Sequence, residues 1–183
     1  ADPDYITYFI ANKDAGIEPS EDFPAAIADK TFAFGSESST SGRLMPTYFI
    51  MQETGKSPEE FFSQPTIFSG SHDKTAKLVE SGEVQVGALS YKTFDKLVAN
   101  GDIDPEKAVI VWRTPTYADY NFTAHPALDE LFGEGTTTKL QDALLALDDA
   151  EILSGFPREK MIPAQNSDFD GIVKVAKELG FVR

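Results

Sequence analysis

Residues 31–50 read TFAFGSESSTSGRLMPTYFI: a strand, a hydroxyl-rich loop and a helix start in one run. Thr31 to Gly35 is short and aromatic and ends on a glycine, the pattern of a buried strand. Leu44, Tyr48 and Met51 recur at helical spacing, with Pro46 near the first turn, where a missing N–H costs little. Working outward, the alternation repeats. Tyr5 to Asn12 (YITYFIAN) reads as a strand, and Ser20-Glu21-Asp22 as the cap of a short helix through Ala28. Ser57-Pro58-Glu59-Glu60 opens another helix with a cap and a proline at its first position. Strands are expected at Thr66 to Phe68, Val84 to Leu89 and Ala108 to Trp112, with helices at His72 to Ser81 and Lys92 to Ala99. Such alternation predicts a mainly parallel sheet with helices on both faces. Beyond Trp112 the character changes: Thr114 to Thr123 is extended and aromatic. The remainder reads as helix at Pro126 to Phe132, Thr136 to Leu147, Ala150 to Ser154 and Ser167 to Leu179.

Composition narrows the function classes. A chain of 183 residues holds one α/β domain, or two small lobes sharing a hinge. With 41% hydrophobic residues and 14 Phe it has the material for a core. It contains no apolar run long enough to span a membrane, and its first residues, Ala1-Asp2-Pro3-Asp4, lack the basic leader and apolar region of a signal peptide. The absence of Cys removes disulfides, thiolate catalysis and Cys-ligated metals together. A net charge of −14 without a basic tract argues against nucleic acid and anionic membrane surfaces. It leaves an anionic ligand open, because charges beyond about 8 Å are largely screened at physiological salt. Local donors settle the matter.

Ser36 to Gly42 places five hydroxyls and a glycine between a strand and a helix. Main-chain N–H groups at a helix start are unpaired and carry the positive end of the dipole, so an oxyanion fits there. The other reading is a polar cap with solvent-facing serines. No Gly-Lys-Ser or Gly-Lys-Thr closes the loop, so it is not a nucleotide P-loop. Phe68-Ser69-Gly70-Ser71-His72-Asp73 repeats the design. In a parallel sheet both junctions lie along one edge, where ligands bind. His72 reads either as a donor from this second junction or as a capping or surface histidine. Tyr117-Ala118-Asp119-Tyr120-Asn121 reads either as an aromatic loop packed on the core or as a hinge walling a cleft. In the second case its carboxylate accepts a hydrogen bond from a protonated ligand oxygen. No nucleophile elbow, His-Glu-x-x-His or metal-ligand cluster is present, and Ser71, His72 and Asp73 are consecutive, which a catalytic triad is not. No enzyme activity, metal or cofactor is expected.

The run Ser38-Ser39-Thr40-Ser41-Gly42-Arg43-Leu44-Met45-Pro46, with Gly70-Ser71-His72-Asp73, Thr114-Pro115 and Asp119-Tyr120, closely resembles the phosphate/phosphite/phosphonate-binding proteins of ABC transporters. Tyr5 in the opening strand, Phe156-Pro157 and Ile162-Pro163-Ala164 are similar to that family too. The resemblance covers the whole chain, and the loop wording is similar to a branch for which phosphite or selenate-like oxyanions have been suggested. It implies an α/β fold of the type II periplasmic-binding-protein kind, two lobes joined by two crossover strands. It further implies that Ser39, Thr40 and Ser41 hold the oxyanion and that His72 donates to it. Asp119 and Tyr120 would lie at the return crossover and Tyr5 at the outgoing one. Two departures stand out. Members of that family begin with a strand–helix–strand portion of the first lobe, after which this chain is expected to start, and Ser90-Tyr91 lacks the carboxylate or carboxamide that phosphonate binders place nearby.

On this reading residues 1–12 are the outgoing hinge strand, 13–112 a complete α/β lobe with a mainly parallel sheet, and 113–183 the return hinge and helical part of a partial second lobe. The resemblance implies a periplasmic or extracytoplasmic location, with a lipid anchor upstream of Ala1 as one arrangement, and an ABC permease as partner. A lobe missing its first half would leave apolar surface uncovered, so the portion from Thr123 onward is expected to be either mobile or packed against a second copy as a dimer. Two other functions compete: a ligand-sensing module of the same fold from a signalling receptor, and a hydrolase or transferase acting on phosphate esters.

Overall fold

The computed structural model describes residues 2–118, 120–155, 159–180 and 182. Strands β1 (Thr7–Asn12), β2 (Phe32–Phe34), β3 (Ile67–Phe68), β4 (Val86–Ser90) and β5 (Ala108–Arg113) form one sheet in the order β3-β2-β4-β1-β5. β2 is parallel to β3 and β4, whereas β1 is antiparallel to both β4 and β5. Four strands therefore point one way and β1 alone runs against them. The sheet is mainly parallel in direction, as expected, with its reversed strand one place in from the β5 edge.

Both faces of this sheet are covered, which is why its strands read as apolar runs instead of alternating ones. Side chains of β1 divide by parity. Phe9 and Ala11 join Phe32, Phe34, Met45, Phe49 and Trp112 in one core cluster; Tyr8 and Ile10 join Ala76, Val79, Leu89 and Phe94 in the other. Helix α3 (His72–Ser81) lies close enough to β4 that a Cβ on Gly87 would stand 2.6 Å from Thr75 Cγ2. Glycine is the residue that lets this helix seat. α4 (Tyr91–Ala99) follows β4 without a loop. Ser57 and Glu60 form the reciprocal capping box at α2 (Pro58–Phe61), with Pro58 at its first position.

Two local expectations are corrected. The helix predicted from Ser20 is a short 3-10 turn, Ala25–Asp29, while Ser20 Oγ closes only a local turn on the Asp22 N–H. Pro24 is the reason, since a proline disfavours helical backbone in the residue before it. The helix after the hydroxyl loop, α1 (Met45–Thr54), buries Met45, Phe49 and Ile50, whereas Leu44, Tyr48 and Met51 are only half-buried. A π-helical turn at Thr40–Leu44 intervenes, with the Leu44 N–H donating to Ser39 O and the Met45 N–H to Thr40 O. That wider turn inserts a residue relative to α-helical spacing and rotates the buried face by one position.

Residues Tyr5–Tyr117 with Ile172–Arg183 form one compact unit; Ala1–Asp4 with Ala118–Gly171 form another. Tyr5 and Tyr117, at the two ends of the first segment, pair as an antiparallel bridge. The tail returns to the sheet-bearing unit because Val175 of α8 (Asp170–Glu178) is buried in the Phe9 cluster, with Ile172 and Leu179 packed beside it. The other unit contains α5 (Leu128–Phe132), α6 (Thr136–Leu145) and α7 (Ala150–Ser154). Leu153 is buried, yet Leu131 and Phe132 are 70% and 71% exposed. Its apolar side chains are largely uncovered.

Candidate functional site

Three helical segments start where three parallel strands end, so their N-termini line one edge of the sheet. Each start is capped by a serine. Ser39 Oγ accepts from the Gly42 N–H at 2.9 Å, Ser71 Oγ from the Lys74 N–H at 3.3 Å, and Ser90 Oγ from the Thr93 N–H at 3.4 Å. The first two junctions were expected from sequence. The third, where β4 runs straight into α4, entered only through the family resemblance at Ser90-Tyr91, because a lone serine at a strand end carries no signal beyond a cap.

The loop between β2 and α1 is held by close main-chain contact. The Gly35 N–H donates to Gly42 O at 2.8 Å. A Cβ on Gly42 would lie 3.0 Å from Ser39 Oγ, 3.1 Å from Gly35 Cα and 3.1 Å from His72 Cε1. The imidazole thus rests directly on the glycine of the π-turn. Its Nδ1 accepts from the Ser90 N–H at 3.3 Å, and its Nε2 stands 3.4 Å from Ser41 Oγ. One ring spans the first and third junctions from its place at the start of the second.

Burial holds the His72 pKa below the ordinary histidine value of 6.5, and Asp73 opposes this only partly. The ring is therefore neutral near pH 7. Between its folded pKa and 6.5 the unfolded chain binds more protons than the folded one, so stability rises with pH across that window and is lost on acidification. Urea unfolding between about pH 8 and about pH 5.5 should show this loss, and His72→Gln should remove that part of the slope. An identical slope in the variant would mean that His72 is not held neutral.

The two segments that enter and leave the sheet meet the same edge. The Thr7 side chain is wholly buried; its hydroxyl donates to Ser41 O at 2.9 Å and lies 2.7 Å from Tyr117 Oη. Having given its one proton to a carbonyl, Thr7 accepts from the Tyr117 hydroxyl. Thr7 N–H donates to Thr114 Oγ1 at 3.0 Å, and Tyr5 Oη is hydrogen-bonded to Ser90 Oγ. Hydrogen bonds therefore link Tyr5 through Ser90 to His72 and Ser41, and Tyr117 through Thr7 to the same loop. Thr7 was missed by sequence reasoning, while Ser90 and Thr114 entered only through the family resemblance, with no role given to either. Thr7 and Ser90 face each other across the β1–β4 register, a pairing that only the fold reveals.

Of the residues singled out from sequence, the structure brings Ser39, Thr40, Ser41, His72 and Tyr5 into one unit along one edge. Tyr120 belongs to the other unit and is 72% exposed; Asp119 lies outside the described residues, as do Phe156 and Pro157. Arg43, in the π-turn itself, has its guanidinium 4.9 Å from the centroids of both Phe34 and Phe68. The donors gathered at the edge are hydroxyls, an uncharged imidazole and main-chain N–H groups. Chemically, such a set suits a small oxyanion bound by dipoles.

Residues 1–169 match the model of the ABC-transporter phosphonate periplasmic substrate-binding protein family. A curated relative, "Probable ABC transporter phosphite binding protein PhnD1" of Prochlorococcus marinus, is 33% identical over 189 residues, covering all of this chain and 63% of that protein. The Escherichia coli phosphonates-binding periplasmic protein is 30% identical over 62% of this chain and 32% of its own length. Among solved structures, P. marinus PhnD1 in complex with methylphosphonate superposes with a TM-score of 0.85 at 32% identity, over 99% of this chain and 69% of that one. The fold is that of the periplasmic substrate-binding proteins it superposes on. This chain belongs to the phosphonate-binding family of ABC-transporter substrate-binding proteins, a family of transport proteins and not of enzymes. It spans about 63% of the length of the P. marinus relative. Membership places it with extracytoplasmic proteins, and none of its described helices is long and apolar enough to cross a membrane.

Proposed function

We propose that this chain binds a small tetrahedral oxyanion of the phosphonate, phosphite or phosphate class and delivers it to an ABC permease outside the cytoplasmic membrane. The observation that carries this reading is the hydrogen-bonded edge of Ser39, Ser41, Ser90 and His72, in which three helix starts converge. Ser39, Thr40 and Ser41 wrap the oxyanion, His72 donates from the second junction, and Tyr5 steadies the third. Asp119 and Tyr120 are the proposed contribution of the return crossover. The relatives support the ligand class: one is named for phosphite, and its structure holds methylphosphonate. A sensing module gains no support, since these relatives are transport proteins.

Calorimetry against phosphite, methylphosphonate, phosphate and sulfate tests the reading. Binding of at least one of the first three, in preference to sulfate, is the expected result. Replacing Thr40 with Ala removes a hydrogen bond to a charged oxygen, worth about 1.5–3 kcal/mol, and should weaken binding about tenfold or more. Unchanged affinity in that variant returns the loop to a capping role.

A further inference from the structure

The polarity of the donor edge is set by which of its atoms can only donate. A main-chain N–H has no alternative role, so the Ser90 N–H, 3.3 Å from His72 Nδ1, requires that nitrogen to accept. A neutral imidazole that accepts at Nδ1 carries its proton at Nε2. Nε2–H then points to Ser41 Oγ, 3.4 Å away, and a hydroxyl that accepts from the ring keeps its own proton to give elsewhere. The same logic holds at Ser39, whose Oγ accepts from the Gly42 N–H at 2.9 Å and so also keeps its proton. Nothing in this order needs a charge.

We infer that Ser90, through its main-chain N–H, locks His72 in the Nε2–H tautomer, a neutral ring whose single proton is given to Ser41 Oγ in the free chain and turns to an oxyanion that binds beside it. Ser90 is thus a positioning residue that acts through His72. It is suited to this because it is fixed on every side. It is the last residue of β4, pairs with Thr7 in the sheet, caps α4 and is hydrogen-bonded to Tyr5. One side of the ring lies close against Gly42, where an added Cβ would stand 3.1 Å from Cε1. The inference rests on the oxyanion reading for its purpose but not for its test.

Nitrogen-15 NMR of the 183-residue chain near pH 7 reads the tautomer directly, with the His72 signals assigned by their loss in His72→Gln. The expected spectrum shows a protonated Nε2 and an unprotonated Nδ1, before and after addition of phosphite. A proton on Nδ1, on both nitrogens or exchanging between them overturns the inference, whether or not phosphite binds. A second arm uses side-chain geometry. The Gln amide nitrogen reaches the place of Nε2, and the Asn amide nitrogen that of Nδ1. If the donor at Nε2 matters, His72→Gln binds phosphite at least about tenfold more tightly than His72→Asn. Equal affinities, in a chain whose wild type binds phosphite, also overturn it. A wild type that binds none of the oxyanions while showing the locked tautomer would instead count against the functional reading and leave the lock standing.

Discussion

Replacing Phe9 with Ala is expected to lower the unfolding free energy by about 3–5 kcal/mol, a large share of the stability of any single domain. Phe9 is fully buried on the antiparallel strand that joins β4 to β5, and its ring packs against Phe23, Phe32 and Trp112 with centroids 6.1, 5.8 and 5.2 Å away. Truncation removes the transfer free energy of the ring and opens a cavity between aromatic walls that cannot close around it. Trp112 is further tied down by its indole N–H, which donates to Glu21 O at 3.2 Å. Urea unfolding followed by the fluorescence of this single tryptophan measures the change. A loss below about 1 kcal/mol would show that the strand is held by its hydrogen-bond ladders and not by this cluster.

The second large effect concerns binding. Gly42→Val should lower affinity for methylphosphonate about a hundredfold or more, because overpacking a tight contact costs about 1–3 kcal/mol even when the surroundings yield. Here they cannot yield without moving the hydrogen-bonded edge: the added Cβ meets Ser39 Oγ, the Gly35 backbone and the His72 ring at once. The loop must lift away from β2 or the ring must leave Ser41, and each response dismantles the donor edge. Calorimetry on a variant with native circular dichroism separates this from unfolding. Wild-type affinity in Gly42→Val would show that the loop does not form the site.

Local signals carried most of the fold. His72–Ser81 is a helix with the bounds expected for it, and the Ser57-Pro58 start lies where its capping residues place it. What the sequence left out was the pairing of distant strands and local departures from regular helical geometry. The reversal of β1 is a property of pairing between residues some eighty positions apart, and YITYFIAN reads the same in either direction of the sheet. The π-turn at Thr40–Leu44 was invisible because apolar spacing assumes 3.6 residues per turn. The site was half legible for a similar reason. A cluster of hydroxyls before a helix announces itself, so Ser39, Thr40 and Ser41 stood out. Thr7 sits inside an apolar strand and Ser90 alone at the end of one. Only the β1–β4 register, Thr7 opposite Ser90, shows that they belong to the same edge.

The most direct test of the central claim is a crystal structure of the chain with methylphosphonate, in which the phosphorus position is located by density and the distances to the loop are measured. The account predicts phosphonate oxygens within hydrogen-bonding distance of Ser39, Thr40 or Ser41, with His72 Nε2 as a further donor. Well-ordered ligand elsewhere, with these three residues facing only solvent, would contradict it.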